Sequence, residues 1–420
     1  MQNTYASWRA SNPLVFITIH LLLGIFLSHW LPHFSNTVTN LIVISTLIIS
    51  ILLLWLLLLI GKTKALTTIL LLIILICWGI IIKLAAQYHA IFSIQYPEQF
   101  IKTCSNFVVE KINKTITTKE ANGFALAILL GIKVDMDKSL MSAYAQLGII
   151  HIIAISGMHL EILFKNLERI TNYLPRKRIF IILELIILLF AVWIYTLMAF
   201  ASPSIVRASL FFSIYIIGKF IGANRYMLNT IAAGIFILML FNVNDLSNIG
   251  LQLSYAAVIG IHLFYKQFYK SLDINNPIIQ FLWSNCCMSL SVQLTTFPIL
   301  AYHFHKIAGW VLVSNFIMVP LSNLILYGLG ILLLLPIQFS ITLFWGKIVE
   351  QYILFFNHFV QNWFLHTKAQ TIQISMNGIQ ILIYYLILLF LYLWLYLKQT
   401  KWLLAIFGII SIHIILKLFS

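Results

Sequence analysis

Long apolar runs separated by short polar connections recur from one end of the chain to the other. LIVISTLIISILLLWLLLLI (41–60) and ILLLIILICWGIII (69–82), extended by its flanks, are long enough to cross a bilayer core, which takes about 20 helical residues. The pattern predicts spans near 13–32, 40–60 and 65–86, then near 179–200, 204–220, 226–243, 248–265, 280–300, 309–335, 340–362, 378–397 and 402–419. The run from Leu14 to Leu31 is too long for the apolar part of a cleaved signal peptide, so it reads as the first span. Residues 87–120 are polar, enough for an amphipathic helix or a small hairpin and too few for a separate folded domain. Residues 121–173 are apolar but interrupted by Gly131, Gly148 and Gly157. The 340–362 run carries Lys347 and Glu350, and a place in the interface is its alternative. The expected fold is all-α: a polytopic membrane helix bundle of about 11–13 spans with broken or re-entrant helices. Residues 1–120 would form N-terminal membrane helices plus a short extracytoplasmic loop, and 121–420 the main membrane domain.

Composition agrees. Of 420 residues, 61% are hydrophobic and 9% charged, against roughly a quarter charged in soluble domains. The net charge of +15 is concentrated in short connections: Lys62/Lys64, Arg176–Arg178, Lys219/Arg225, Lys266/Lys270 and Lys398/Lys401. The positive-inside rule places these, and Arg9, on the cytoplasmic side, with the N-terminus, and leaves 87–120 outside. A basic surface that also attracts a polyanion fits the same charge. Cys77, Cys286 and Cys287 lie in apolar runs and Cys104 in the polar one, so no disulfide framework or zinc pattern emerges.

Polar groups inside a membrane need partners or a watery cavity. HIIAISGMHLEI (151–162) places His151, Ser156, Gly157, His159 and Glu161 after a glycine-bracketed segment too short to span. A half-helix starting there would offer free amides to an anion; alternatively Ser156 bonds its own helix and the histidines sit at an interface. In ASPSIVRAS (201–209), Pro203 suits a helix start and Arg207 follows one turn later, either snorkelling or facing the interior with Glu184 as an ion-pair partner. Asn285, Ser289, Gln293 and Thr296 share one helix face, and Asn248, Gln252, Tyr255, Asn315 and Ser322 continue the polar rows on the neighbouring runs. Such rows are interhelical glue or the wall of an aqueous path. His303-x-His305 falls short of the three or four ligands zinc needs, so no metal is expected. No Walker A loop, HExxH motif, dinucleotide fingerprint or catalytic carboxylate pair is present, and no cofactor is expected.

The block from Ala125 to Leu163, centred on HIIAISGMHL, resembles the signature of the ComEC competence proteins. SPSIVRASLFF, IGLQLSYAAVIGI (249–261) and LTTFPILAYHFHKIAGWVLVSNFIMVPLSN (294–323) resemble later segments of that family in the same order, covering roughly 120–335. Larger members carry an OB-like domain after the first helices and a terminal metallo-β-lactamase-like domain. Here 87–120 is too short for the first, and no HxHxDH-type motif marks the second, so the chain resembles a short, membrane-only form.

The resemblance implies an inner-membrane channel, not an enzyme, that passes single-stranded DNA into the cytoplasm during natural transformation. A DNA receptor outside, a separate nuclease, and a cytoplasmic motor or single-strand-binding protein would be its partners, besides membrane lipids. The path residues would be His151, Ser156, Gly157, His159, Arg207, Gln252, Ser254, Asn285, Ser289, Gln293, Thr296 and Asn315, with helix breaks at Gly131, Gly148, Pro203, Pro298 and Pro320. Tyr144, Tyr255 and Tyr302 either stack bases or simply pack. A carrier of small solutes or lipids, and an intramembrane serine protease built on Ser156 and His159, are the competing readings.

Overall fold

The computed structural model describes residues 12–28, 64–86, 98–133, 136–173, 177–222, 227–241, 243–367 and 371–418, with a few positions in 45–53 and Pro175. Most of the expected 40–60 span lies outside the described residues. Among those described, four helices are long and apolar enough to cross a membrane: Arg178–Met198, Pro203–Phe220, Val311–Leu334 and Gly378–Leu397. Strand structure among the described residues is limited to an antiparallel pair, Lys306–Ala308 with Thr371–Gln373, in which Ile307 faces Ile372.

The chain divides into two compact units. One unit comprises 1–96, 174–189 and 210–248; the other comprises 97–173, 190–209 and 249–420. In the first, helices Pro13–Ser28 and Lys64–Ala86 touch backbone to backbone. A Cβ at Gly24 would fall 2.1 Å from the Ile76 carbonyl oxygen, and one at Gly79 would fall 2.2 Å from that of Leu21. Small residues allow this approach, which is how helices gain dispersion contacts where lipid removes the hydrophobic drive. Thr18 Oγ1 donates to Ala232 O at 3.2 Å, tying in helix Met227–Phe241. Glu184, 2% exposed, pairs with Lys219 at 3.1 Å.

In the second unit, the polar stretch supplies helix Glu98–Thr115. Its buried positions Ile101, Ser105, Val108, Ile112 and Thr115 recur at steps of four and three, one face of a helix. That face is why 97–120 folds here: Val108, Ile112 and Ile116 join the core built by helices Lys119–Leu130, Lys138–Gln146, Val311–Leu334 and Ser340–Thr367. Lys111 is buried on the same face and donates from Nζ to Leu333 O and Leu335 O at 2.7 and 2.6 Å, a cation at a helix C-terminus.

Helix Ser340–Thr367 is not among the four apolar spans, because its inner face is partly polar. Glu350, 4% exposed, accepts from Thr118 N at 2.7 Å and Thr117 Oγ1 at 3.1 Å, capping the start of helix Lys119–Leu130. Burial raises its carboxyl, but the Thr118 and Thr117 donors outweigh it and hold the group below the usual carboxylate range. Asn357, two turns on, accepts from Tyr144 Oη at 2.9 Å and donates to Glu120 Oε1 at 2.9 Å. Tyr144 is fully buried against Phe124 and Phe356, ring centroids 6.1 and 6.2 Å away. It is therefore a packing residue, closed to any base.

Candidate functional site

The glycine-bracketed segment is a true interruption. Gly131 and Gly148 take φ of 75° and 76°, the left-handed region that glycine enters without a Cβ penalty, and each follows the end of a helix. At Gly148 there is a second constraint, since an added Cβ would meet Val311 Cγ2 at 2.7 Å and Ala308 Cβ at 3.0 Å. A single turn, Ile150–Ile153, then leads through Ser156 into helix Gly157–Thr171.

That helix starts in a way the residue types explain. The Ser156 backbone N–H donates to His159 Nδ1 at 2.9 Å, so the imidazole closes the first turn from position N3, where a glutamate or glutamine usually does so. Ser156 Oγ also lies 3.2 Å from Nδ1. Nδ1 has one lone pair and it already receives the amide, so the neutral ring carries its proton on Nε2. His159 is 3% exposed, and its Nε2 has no hydrogen-bond partner among the described residues. This leaves a buried neutral donor, which costs about 1–3 kcal/mol when unused. The geometry does not favour a serine nucleophile: the base shares its lone pair with an amide, and nothing orients the ring from Nε2.

Helix Pro203–Phe220 docks on this turn. Pro203 occupies its first position, as the sequence reading expects. Ser204 Oγ donates to Ile155 O at 2.8 Å, and a Cβ on Gly157 would touch Ala208 Cβ at 3.4 Å. One turn on, Arg207 is 8% exposed and donates from Nη2 to Gly250 O at 2.9 Å, which brings in helix Ile249–Gly260 with Gln252, Ser254 and Tyr255. Arg207 lies close enough to Tyr255 to act on it electrostatically. His151 and His159 interact likewise. The His151 side chain is exposed. Tyr195 is half-buried, its hydroxyl donating to Leu129 O at 3.3 Å. These contacts bring His151, Ser156 and His159 together on one side, and Arg207 with Tyr255 on the other.

The remaining candidates are placed elsewhere. Glu161 pairs with Lys165 at 2.5 Å on an exposed helix face. Glu184, which the sequence offers to Arg207, is held by Lys219 as described. In helix Pro277–Phe304, the face packed on helix Ile249–Gly260 carries Ser291 and Thr295. Thr295 Oγ1 donates to Ala256 O at 2.7 Å, and a Cβ at Gly260 would fall 2.3 Å from that hydroxyl. The expected row Asn285, Ser289, Gln293 begins two positions from the Cys287, Ser291, Thr295 row, about 200° round the helix. It therefore does not face helix Ile249–Gly260. Asn285 and Thr296 bond carbonyls of their own helix, at Phe281 and Val292, whereas Ser289 Oγ and Asn315 Oδ1 are buried without a partner among the described residues.

Pro298 and Pro320 correct the expected breaks, because both lie inside continuous helices. Side-chain donors serve the carbonyls around them: Thr295 Oγ1 at Ser291 O, Tyr385 Oη at Thr295 O, Ser322 Oγ at Val319 O. Side-chain hydroxyls and neighbouring helices commonly help a membrane helix accommodate a proline. His303 and His305 belong to no cluster of metal-ligating residues among those described. The cysteines are unpaired, and Cys104 is half-buried like Cys77 and Cys286.

A family model described as "Competence protein" matches residues 128–399. ComE operon protein 3 of Bacillus subtilis (strain 168) is 30% identical over 203 residues, which cover 48% of this chain and 25% of that protein. The chain thus spans about a quarter of the length of the curated relative it matches. No solved structure matches it.

Proposed function

Since the chain belongs to the competence protein family, we propose that it passes single-stranded DNA across the bacterial inner membrane into the cytoplasm during natural transformation. The observation that carries this reading is the grouping of His151, His159 and Arg207 where helix Pro203–Phe220 docks on the signature turn. A polyphosphate strand must be held well enough to enter and weakly enough to leave. A neutral imidazole donor, the first-turn amides of helix Gly157–Thr171 and one fixed guanidinium meet both needs. Tyr255, half-buried beside Arg207, adds a face on which bases of any identity can stack.

In this reading the chain is a conduit and not a catalyst. The lone pair that His159 Nδ1 shares with the Ser156 amide supports that. The receptor outside the membrane, the nuclease and the cytoplasmic motor or single-strand-binding protein are separate partners. The chain is multi-pass, with its N-terminus in the cytoplasm.

The test is uptake of fluorescent DNA by a competent host lacking this gene, scored separately for periplasmic and cytoplasmic signal. The expected result is periplasmic accumulation without cytoplasmic entry, restored by the intact gene. Arg207→Ala should restore at most a tenth of that entry, on the order of one charge-assisted contact, at normal protein level. Unchanged entry without the gene would end this reading and favour a carrier of small solutes.

A further inference from the structure

Away from those groups, the short helix Lys266–Tyr269 and the loop after it meet the start of helix Pro277–Phe304 around a cavity of about 380 Å³. Tyr269, Lys270, Asp273, Gln280 and Trp283 line it. The aromatic side is built and held: Trp283 Nε1 donates to Tyr269 O at 3.3 Å, and Tyr269 stacks on Tyr265 with an interplanar angle of 23°. Tyr265 Oη is itself 2.9 Å from Ser284 Oγ. The amides at the helix start are already taken, since Asn276 Oδ1 accepts from Ile278 N and Ile279 N at 2.9 and 3.3 Å. The ligand chemistry must therefore come from the side chains.

Those side chains present a specific combination. Lys270 and Asp273 line the same cavity, and neither forms an ion pair among the described residues. A cation and an anion that line one cavity without pairing, beside aromatic rings, match a zwitterion better than a single charge. Leu272, Ile278 and Phe281, adjoining the cavity in the chain, are 52%, 70% and 57% exposed, an apolar apron for hydrocarbon.

We infer that this cavity binds the headgroup of an aminophospholipid. Its phosphate sits on Lys270, and its primary ammonium sits between Asp273 and the rings of Tyr269 and Trp283. The acyl chains run over Leu272, Ile278 and Phe281. A primary ammonium donates hydrogen bonds to Asp273 and attracts the ring faces; a quaternary one keeps only the second contact. Anionic lipid and DNA backbone both meet repulsion from Asp273. The inference does not depend on what the protein conducts.

The test is native mass spectrometry of the full chain released from nanodiscs of phosphatidylethanolamine, phosphatidylcholine or phosphatidylglycerol with identical acyl chains. Retention of phosphatidylethanolamine should exceed that of phosphatidylcholine by about fivefold, a charge-assisted bond discounted for an open site. Asp273→Asn should remove that preference, and Lys270→Gln should lower retention of all three lipids. Lys347→Gln, at an exposed position on another helix, should change nothing. Equal retention by wild type and both variants, or preference for phosphatidylglycerol, would overturn the inference. So would displacement of bound lipid by a short oligothymidylate that the variants no longer bind.

Discussion

Replacing Gly148 by alanine asks the chain to do two costly things at once. At φ 76° an alanine Cβ crowds the backbone, for about 1–2 kcal/mol. The same Cβ meets Val311 Cγ2 at 2.7 Å, Val311 Cβ at 2.9 Å and Ala308 Cβ at 3.0 Å. Relieving that overlap by shifting the start of helix Val311–Leu334 costs about 1–3 kcal/mol more. Two other glycines separate the contributions: Gly131 and Gly222 have φ of 75° and 66°, with nothing nearer than 4.0 Å to an added Cβ. Gly131→Ala and Gly222→Ala should therefore show the backbone cost alone, while Gly148→Ala shows both, about 2–5 kcal/mol. Apparent midpoints of thermal unfolding in one detergent at one scan rate report the difference, because such unfolding is commonly irreversible. A chain of this size loses roughly 1–2 °C per kcal/mol, so the packing cost should set Gly148→Ala about 1–6 °C below the two controls. Val311→Ala in the Gly148→Ala background should recover part of that gap. If all three single variants melt together, packing against Val311 and Ala308 does not hold the signature segment, and the reasoning fails.

Ser156→Ala removes the hydroxyl half of the capping box but keeps the amide bond to His159, so it should cost about 0.5–1 kcal/mol of stability and leave DNA entry largely intact. His159→Ala should cost about 1 kcal/mol by removing the cap, and it should depress entry. Labelling of Ser156 by a fluorophosphonate would contradict both the cap and the conduit reading. Glu350 has a carboxyl held low in the folded chain, so its stabilisation is complete above the unfolded value, about 4.3, and fades as pH falls through that value toward the folded one. Glu350→Gln should lose about 1 kcal/mol at neutral pH and show a flatter stability profile between pH 6 and 3.5 in the same melting assay. Tyr144→Phe and Asn357→Leu should each destabilise by about 1–3 kcal/mol. The double variant should cost less than their sum by about 0.5 kcal/mol or more, since the two groups share one bond; strict additivity would break that link.

Much of this was legible in residue order. Apolar runs marked the helices at 64–86, 178–198, 203–220 and 311–334 to within a residue or two, because lipid leaves the backbone no other way to satisfy itself. Glycines at 131 and 148 marked true ends, and Pro203 a true start. The role of His159 as a cap was hidden, since the usual residue at that position is a carboxylate or its amide. The prolines at 298 and 320 misled because a membrane helix can keep its course through a proline, and the residue alone does not say whether its surroundings support that. The face of helix Pro277–Phe304 that packs on helix Ile249–Gly260 stayed hidden for a deeper reason. In lipid the packed face is marked by smallness and not by greasiness, so Ser291 and Thr295 look no different in hydropathy from Ser289 or Thr296. The cue that separates them lies elsewhere in the chain, at Gly260. Ser204 and Tyr195 escaped attention because their hydroxyls serve carbonyls remote in sequence, Ile155 and Leu129.

The two polar rows of helix Pro277–Phe304 obey different rules of replacement. Where Ser291 and Thr295 meet Gly260, the neighbouring backbone leaves no room, so that row reads volume: alanine passes there and leucine does not. Across the helix, Asn285, Ser289 and Gln293 meet no such wall from helix Ile249–Gly260, and that row is free to read chemistry instead. One helix thus carries two alphabets on its flanks, one written in size and the other in hydrogen bonds. Drift within the family can rewrite the second without disturbing how the bundle closes.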